Sequence, residues 1–167
     1  MSTLRRMFRF GMRHGFLLVL GFLVMTYPLS LWKPAMATTN ATVSKWKKVA
    51  LSDIAINLRL MALEKLKQEG SSDALDALEA VAKGGALRVK VAACAQLGRV
   101  KSTASKGKLK GLLEDTSQAT EMRMAAAAAI AEHWKDSGDL SYLQGKCTGN
   151  ASLSAHCAVI ASKVYGQ

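Results

Sequence analysis

The stretch VKVAACAQLGRV, running from Val89 to Val100, decides the fold, because its pattern returns along the chain. Its first nine residues, VKVAACAQL (89–97), have three counterparts: LRLMALEKL (58–66), MRMAAAAAI (122–130) and SLSAHCAVI (152–160). The closing apolar residues are Leu66, Leu97, Ile130 and Ile160, separated by 31, 33 and 30 positions. Self-similarity at a period of about 20–50 residues is the mark of a repeat architecture, in which stacked neighbours bury what one unit cannot bury alone.

Shorter helical stretches lie between these segments. Leu75, Leu78 and Ala82 share a face within Asp73–Lys83, as do Leu109, Leu112 and Leu113 within Lys106–Glu114, and Leu140, Leu143 and Cys147 within Asp139–Cys147. This is the i, i+3, i+4, i+7 spacing of amphipathic helices. Turn residues punctuate the chain at Gly70-Ser71-Ser72-Asp73, Gly84-Gly85, Ser117 with Thr120, and Ser137-Gly138-Asp139. No stretch alternates in the manner of a strand. The unit is therefore helix, turn, helix, about 31 residues long, occurring three times and closed by a lone helix over residues 151–165. Alanines such as Ala125 to Ala129 allow helices to approach closely, and Lys163 suits the final helix to a polar cap.

Residues 89–100 resemble the first helix of a short HEAT-like repeat, with its V-R-x-A-A-x-x-A-L-G pattern, of the kind found in the HEAT-like group of bilin lyases. Arg59, Lys90 and Arg123 stand at the family's arginine position, whereas Ser152 and Leu153 replace the apolar-then-basic pair in the last unit. The resemblance covers residues 52–165 and implies a short right-handed α-solenoid with a C-terminal capping helix. It further implies a scaffold or adaptor that binds another protein.

The N-terminus differs from the rest. Arg5, Arg6, Arg9 and Arg13 precede the apolar run Phe16–Met25, and Ala35-Met36-Ala37 offers a small-x-small cleavage site. That sequence of features reads as an export signal over residues 1–37. Extending the apolar run to Trp32 leaves an uncleaved membrane anchor as the alternative. Arg5-Arg6-Met7-Phe8 is compatible with a twin-arginine route as well as general secretion. Residues 38–51 form a polar and basic lead-in, flexible over Thr38–Ser44, and residues 52–167 form the repeat domain. A bacterial periplasm or cell envelope follows as the expected location.

Charge needs the same division. The chain holds 23 basic and 12 acidic residues, a formal charge of +11. Arg5, Arg6, Arg9, Arg13 and Lys33 leave with the signal, so a chain starting at Thr38 carries 18 basic residues against 12 acidic, net +6. The headline charge is thus no argument for nucleic acid, and none is expected as a partner. Two basic clusters remain, Lys45, Lys47 and Lys48 around Trp46, and Arg99, Lys101, Lys106, Lys108 and Lys110. The second reads either as a solvated face or as a contact for an acidic protein surface, an anionic envelope polymer or a lipid. Trp134 and Tyr142 are candidate aromatic anchors beside it. Membrane contact enters only if residues 16–32 are retained.

Cys147 and Cys157 flank one short turn, and in an oxidising compartment such a pair can bridge; two free core thiols are the alternative. Cys94 reads as a small core residue. His156 beside Cys157 lacks a second ligand pair at metal spacing, so no metal site is expected, and no cofactor. No nucleophile elbow, phosphate loop or paired-carboxylate motif is present. The expectation is a binding module, not an enzyme: an accessory or scaffold subunit of an envelope assembly. Alternatives are a membrane-tethered structural protein and a HEAT-like lyase subunit acting on a chromophore-carrying protein.

Overall fold

A computed structural model describes residues 32–166, with side chains from Asn40 onward. The chain divides into two units, Met1–Thr39 and Asn40–Gln167. Of the first, only the helical backbone of residues 32–39 is described, so the basic head and the apolar run of the export reading lie outside the described residues. No helix among the described residues is long and apolar enough to cross a membrane.

The described residues form eight helices and no strand: α1 (Trp32–Leu51), α2 (Ile56–Glu69), α3 (Ser72–Gly84), α4 (Leu87–Val100), α5 (Thr103–Glu114), α6 (Thr120–Trp134), α7 (Ser137–Lys146) and α8 (Ala151–Tyr165). They stack in two layers. Helices α2, α4, α6 and α8 pack one on the next, while α3 lies against α5 in the second layer. Each second-layer helix packs on the first-layer helices around it, α3 on α2 and α4, α5 on α4 and α6, α7 on α6 and α8. This is an all-α solenoid of HEAT-like helical repeats. Its core is one continuous seam that includes Leu63, Leu66, Leu78, Val81, Val89, Leu97, Leu109, Leu112, Met122, Ile130 and Leu153, all fully buried. Cutting any of these leucines to alanine removes about 2–5 kcal/mol.

Local chemistry explains the helix starts. Ser71, Ser102 and Asp136 cap α3, α5 and α7, accepting from the N–H groups of Ala74 (3.2 Å), Ser105 (3.0 Å) and Asp139 (2.7 Å). Because Asp136 takes the cap, Ser137-Gly138-Asp139 forms the first turn of α7 and is not a break. The first-layer helices α2, α4 and α6 follow Ala55, Ala86 and Ala119, which offer no side-chain cap. Helix α8 follows Asn150, whose Oδ1 accepts from Leu153 N–H at 3.0 Å.

These four N-cap positions fall 31, 33 and 31 residues apart, which sets the register of the last unit. Leu153, third in α8, is the counterpart of Val89 and Met122, and all three are fully buried. The alignment on the closing residues Ile130 and Ile160 is one position out of step with this cap-to-cap register. In the corrected register the last unit keeps its apolar residue and places Ser154 where its neighbours have a basic one.

The lead-in also differs from expectation. Thr38–Ser44 is helical, part of α1. From Asn40 onward α1 has its own apolar stripe, with Val43 and Ala50 buried and Trp46 and Val49 packed half-buried against the core. Its end behaves as a second-layer helix. Arg59 of α2 donates through Nε to the Ala50 carbonyl at 3.1 Å, as Arg123 of α6 donates to the Leu113 carbonyl of α5 at 2.8 Å. Arg59 and Arg123 thus share a physical role, each satisfying a C-terminal carbonyl that the preceding helix cannot satisfy itself.

Candidate binding edge

Each first-layer helix ends on a residue in the left-handed region: Gly70, Lys101, Lys135 and Gly166, with φ of 62°, 55°, 44° and 71°. Glycine takes this conformation freely, whereas a lysine there is strained by roughly 1 kcal/mol or more. The two inner turns carry lysine nonetheless. Part of the strain is offset because a cation at a helix C-terminus meets the negative end of the helix dipole.

Around these turns the basic residues sort into two groups. Arg99, Lys101 and Lys135 are exposed and have no carboxylate within ion-pair distance among the described residues. His133 sits among them. Its ring lies directly over Gly98, where an added Cβ would collide with His133 Cδ2 and stand 3.2 Å from Ala129 Cβ. The ring meets Trp134 edge to face, with centroids 6.3 Å apart. Burial holds the His133 pKa below the usual histidine value, and Lys101, Arg99 and Lys135 push it the same way against the opposing pull of Glu132. The result is a neutral imidazole inside an electropositive rim.

The other lysines of the sequence cluster are tied within the fold. Lys106 pairs with Asp139 at 2.6 Å and Asp136 at 3.3 Å, with its Nζ 5.8 Å from the centre of the Trp134 ring. Lys108 pairs with Asp76 at 2.5 Å and Glu79 at 2.7 Å on α3. Lys110 stands 4.0 Å from Asp139 and 4.2 Å from the centre of the Tyr142 ring. Helix α5 is therefore bound to α3 on one side and α7 on the other. Burial lowers the affinity of Lys106 and Lys108 for their protons, but the carboxylates beside them outweigh it and leave both pKa values raised.

Trp134 and Tyr142 are both half-buried and packed against the core. The Tyr142 hydroxyl donates to Glu114 at 3.2 Å, and burial, followed by the Glu114 charge, raises its pKa. Asp139 is only 2% exposed, and its Oδ2 has no hydrogen-bond partner. Burial raises its pKa, Lys106 opposes that, and the neighbouring Asp136 adds to it. Both pKa values are raised, which favours the charged form of Lys106 and disfavours that of Asp139. Asp139 is the member that resists ionisation, since it is the buried one.

Cys147 at the end of α7 and Cys157 on the buried stripe of α8 are joined, with Cα atoms 6.3 Å apart. Cys94 is a fully buried free thiol, its pKa pushed up to about 12 by burial. His156 is half-buried, with Nε2 unpartnered. Among the described residues, no group of three or more His, Cys, Asp or Glu side chains is placed to hold a metal ion.

Of the residues expected to bind, the fold thus brings Arg99 and Lys101 to a free edge and turns Lys106, Lys108 and Lys110 inward to neighbouring helices. The sequence reading missed His133 and Lys135. The signal was present: they lie one repeat beyond Arg99 and Lys101, in the same turn of the next unit.

No protein family or curated protein matches the chain. Among solved structures it is similar to human deoxyhypusine hydroxylase, determined with glycerol bound, at 17% identity and a TM-score of 0.64. The match covers 79% of this chain and 46% of the hydroxylase, so the chain spans about half the length of that protein. At this identity the likeness shows the fold, a HEAT-like helical stack. It also corrects one expectation. The chain was read as a binding module and not an enzyme partly because HEAT-type stacks serve as scaffolds, yet here such a stack belongs to an enzyme. Architecture does not separate the two classes; side chains do.

Proposed function

We propose that the protein is an exported HEAT-like interaction module that docks an acidic protein segment along the edge formed by Arg99, Lys101, His133 and Lys135. It would serve as an accessory or scaffold subunit of a cell-envelope assembly. One observation carries the reading: Arg99, Lys101 and Lys135 lack ion-pair partners while Lys106, Lys108 and Lys110 have them. Two of these three edge cations, Lys101 and Lys135, sit on backbone that would relax with glycine. Unpaired charge held in a strained place is the feature that structure alone does not require. The finer likeness to the bilin-lyase group rests on the Val89–Val100 motif and adds a chromophore-carrying protein as one acidic-partner class to try.

Binding of a fluorescent poly-glutamate peptide of about ten residues tests the edge. Wild-type protein binds it with an affinity that falls steeply with salt. The R99A/K101A/K135A variant loses about tenfold or more, whereas K108A, which breaks a tie between helices, leaves binding within about twofold. Equal loss in both variants, or none in the triple variant, sinks the edge. The export half of the proposal is read separately, by intact mass of protein isolated from its host. A chain beginning at Thr38 supports it, and a full-length chain recovered in the membrane fraction turns the reading to a tethered protein.

A further inference from the structure

The described stack begins and ends on half a repeat. At its start, the C-terminal part of α1 takes the place of a second-layer helix, shown by the Arg59–Ala50 bond, with no first-layer helix before α2 among the described residues. At its end, α8 is a first-layer helix with no second-layer helix after it among the described residues. Within the described residues the two ends are complementary: α2 has no first-layer neighbour before it, and α8 offers a first-layer face.

The third and eighth positions of the first-layer helices carry the comparison. The third residue of each first-layer helix lies two turns before the tenth, on the flank that in α6 meets the preceding helix: Val89, Met122 and Leu153 are fully buried, but Leu58 is 46% exposed. Met61 on α2, and Ile54 and Leu51 just before it in the chain, are also exposed, at 45%, 42% and 39%, where a stack end is normally polar. On the opposite side of these helices the eighth position is buried in Leu63, Cys94 and Ala127, but its counterpart in α8, Ala158, is exposed. The internal joint itself shows how the two faces meet. Gly98, twelfth in α4, lies against Ala129 and His133, tenth and fourteenth in α6. In α8 the twelfth position is Ser162, exposed and small, and in α2 the tenth and fourteenth are Lys65 and Glu69. Beside Ala158 an open groove of about 300 Å³, lined by Gln144, Ser154, Ala161 and the disulfide, runs between α7 and α8, where a following helix would sit. Val159, the next residue along α8, is 64% exposed.

We infer that copies of this protein stack head to tail, with α8 of one copy filling the first-layer place before α2 of the next. The contact repeats the joint the fold already uses internally. Because the two faces differ, it does not close on itself as a two-fold dimer does and adds copies in line. The Cys147–Cys157 bridge holds α8 on α7 and so fixes the presenting face. The inference does not depend on the basic edge, which lies at other residues.

Sedimentation velocity on the protein as isolated, from about 1 to 200 μM, is the test. The expected result is a weight-average mass that rises past the dimer with concentration. Met61→Glu and Ala158→Glu each abolish growth, weakening association at least about tenfold by placing a charge in an apolar joint. Both substitutions lie on surface positions, and unchanged helical circular dichroism and melting confirm that they fold. Mixing the two variants is decisive. M61E keeps an intact α8 face and A158E an intact α2 face, so together they form a one-to-one dimer that neither forms alone. A wild-type chain that stays monomeric throughout overturns the inference. So does a dimer that A158E leaves intact, which would mean two α2 faces meeting symmetrically.

Discussion

Removing the Lys106 ammonium tests whether the α5–α7 tie is structural. In Lys106→Met the aliphatic stem is kept and the charge lost, leaving Asp139, 2% exposed, without its 2.6 Å partner. Breaking a buried pair on one side costs about 3–5 kcal/mol. Two features reduce that figure here: Lys110, 4.0 Å away, supplies a weaker field, and Asp139 already resists ionisation and can take up a proton. A loss of about 2 kcal/mol at pH 7 follows, measured by urea unfolding followed at 222 nm. The pH dependence gives the sharper signature. With the ammonium gone, the folded-state pKa of Asp139 rises further above its unfolded value. Stability associated with that proton is then present below the unfolded pKa and lost as pH rises through the folded one. The gap between wild type and K106M therefore narrows towards pH 4.5 and widens towards neutrality. K106M/D139N, with no buried charge to strand, recovers more than half of the loss at pH 7. A deficit under about 0.5 kcal/mol, or one that does not change between pH 4.5 and 7, refutes the argument, because an exposed pair behaves that way.

Three further outcomes follow from the geometry. Reducing Cys147–Cys157, or replacing both residues with alanine, frees a closed loop of about ten residues and lowers unfolding stability by about 2–3 kcal/mol, with proteolysis beginning in α8. Unchanged denaturation curves under reductant would show that α8 is held by packing alone. Gly98→Ala pushes a methyl into the His133 ring and destabilises by about 1–3 kcal/mol; His133→Ala in the same background restores most of it. In wild type, His133 titrates by NMR below an ordinary histidine, and R99A/K101A moves that midpoint up. A depressed histidine contributes stability above its unfolded pKa that is lost as pH falls through the folded one, so this substitution also shrinks the acid sensitivity of the fold.

The first-layer helices were legible because their apolar positions recur with the helical period and again with the repeat. The last register slipped because α8 is rich in alanine and serine, so aligning closing apolar residues was easy and wrong by one. Asn150, a capping residue three positions before Leu153, held the correction. Helix α1 was missed for a different reason. Thr38, Thr39 and Thr42 have weak helix propensity, and only the packing of Val43, Trp46 and Ala50 along one stripe overrides it.

The lysine cluster shows why counting charges along a chain misleads. Lys106, Lys108 and Lys110 are two apart, and on a helix a step of two turns a side chain by about 200°. Lys106 and Lys110 must then share one flank of α5 while Lys108 faces the other. In a stacked repeat those flanks are occupied by the same kind of helix one unit earlier and one unit later. The carboxylates that neutralise them are accordingly one period away in sequence: Asp76 and Glu79 lie 32 and 29 residues before Lys108, and Asp136 lies 30 after Lys106. A basic residue in such a protein is free only when no acid stands one period to either side on the facing flank. Lys101 and Lys135 meet that condition by lying in the turns, beyond the reach of the second-layer zipper. Their freedom is a consequence of where the helices end, which composition does not record.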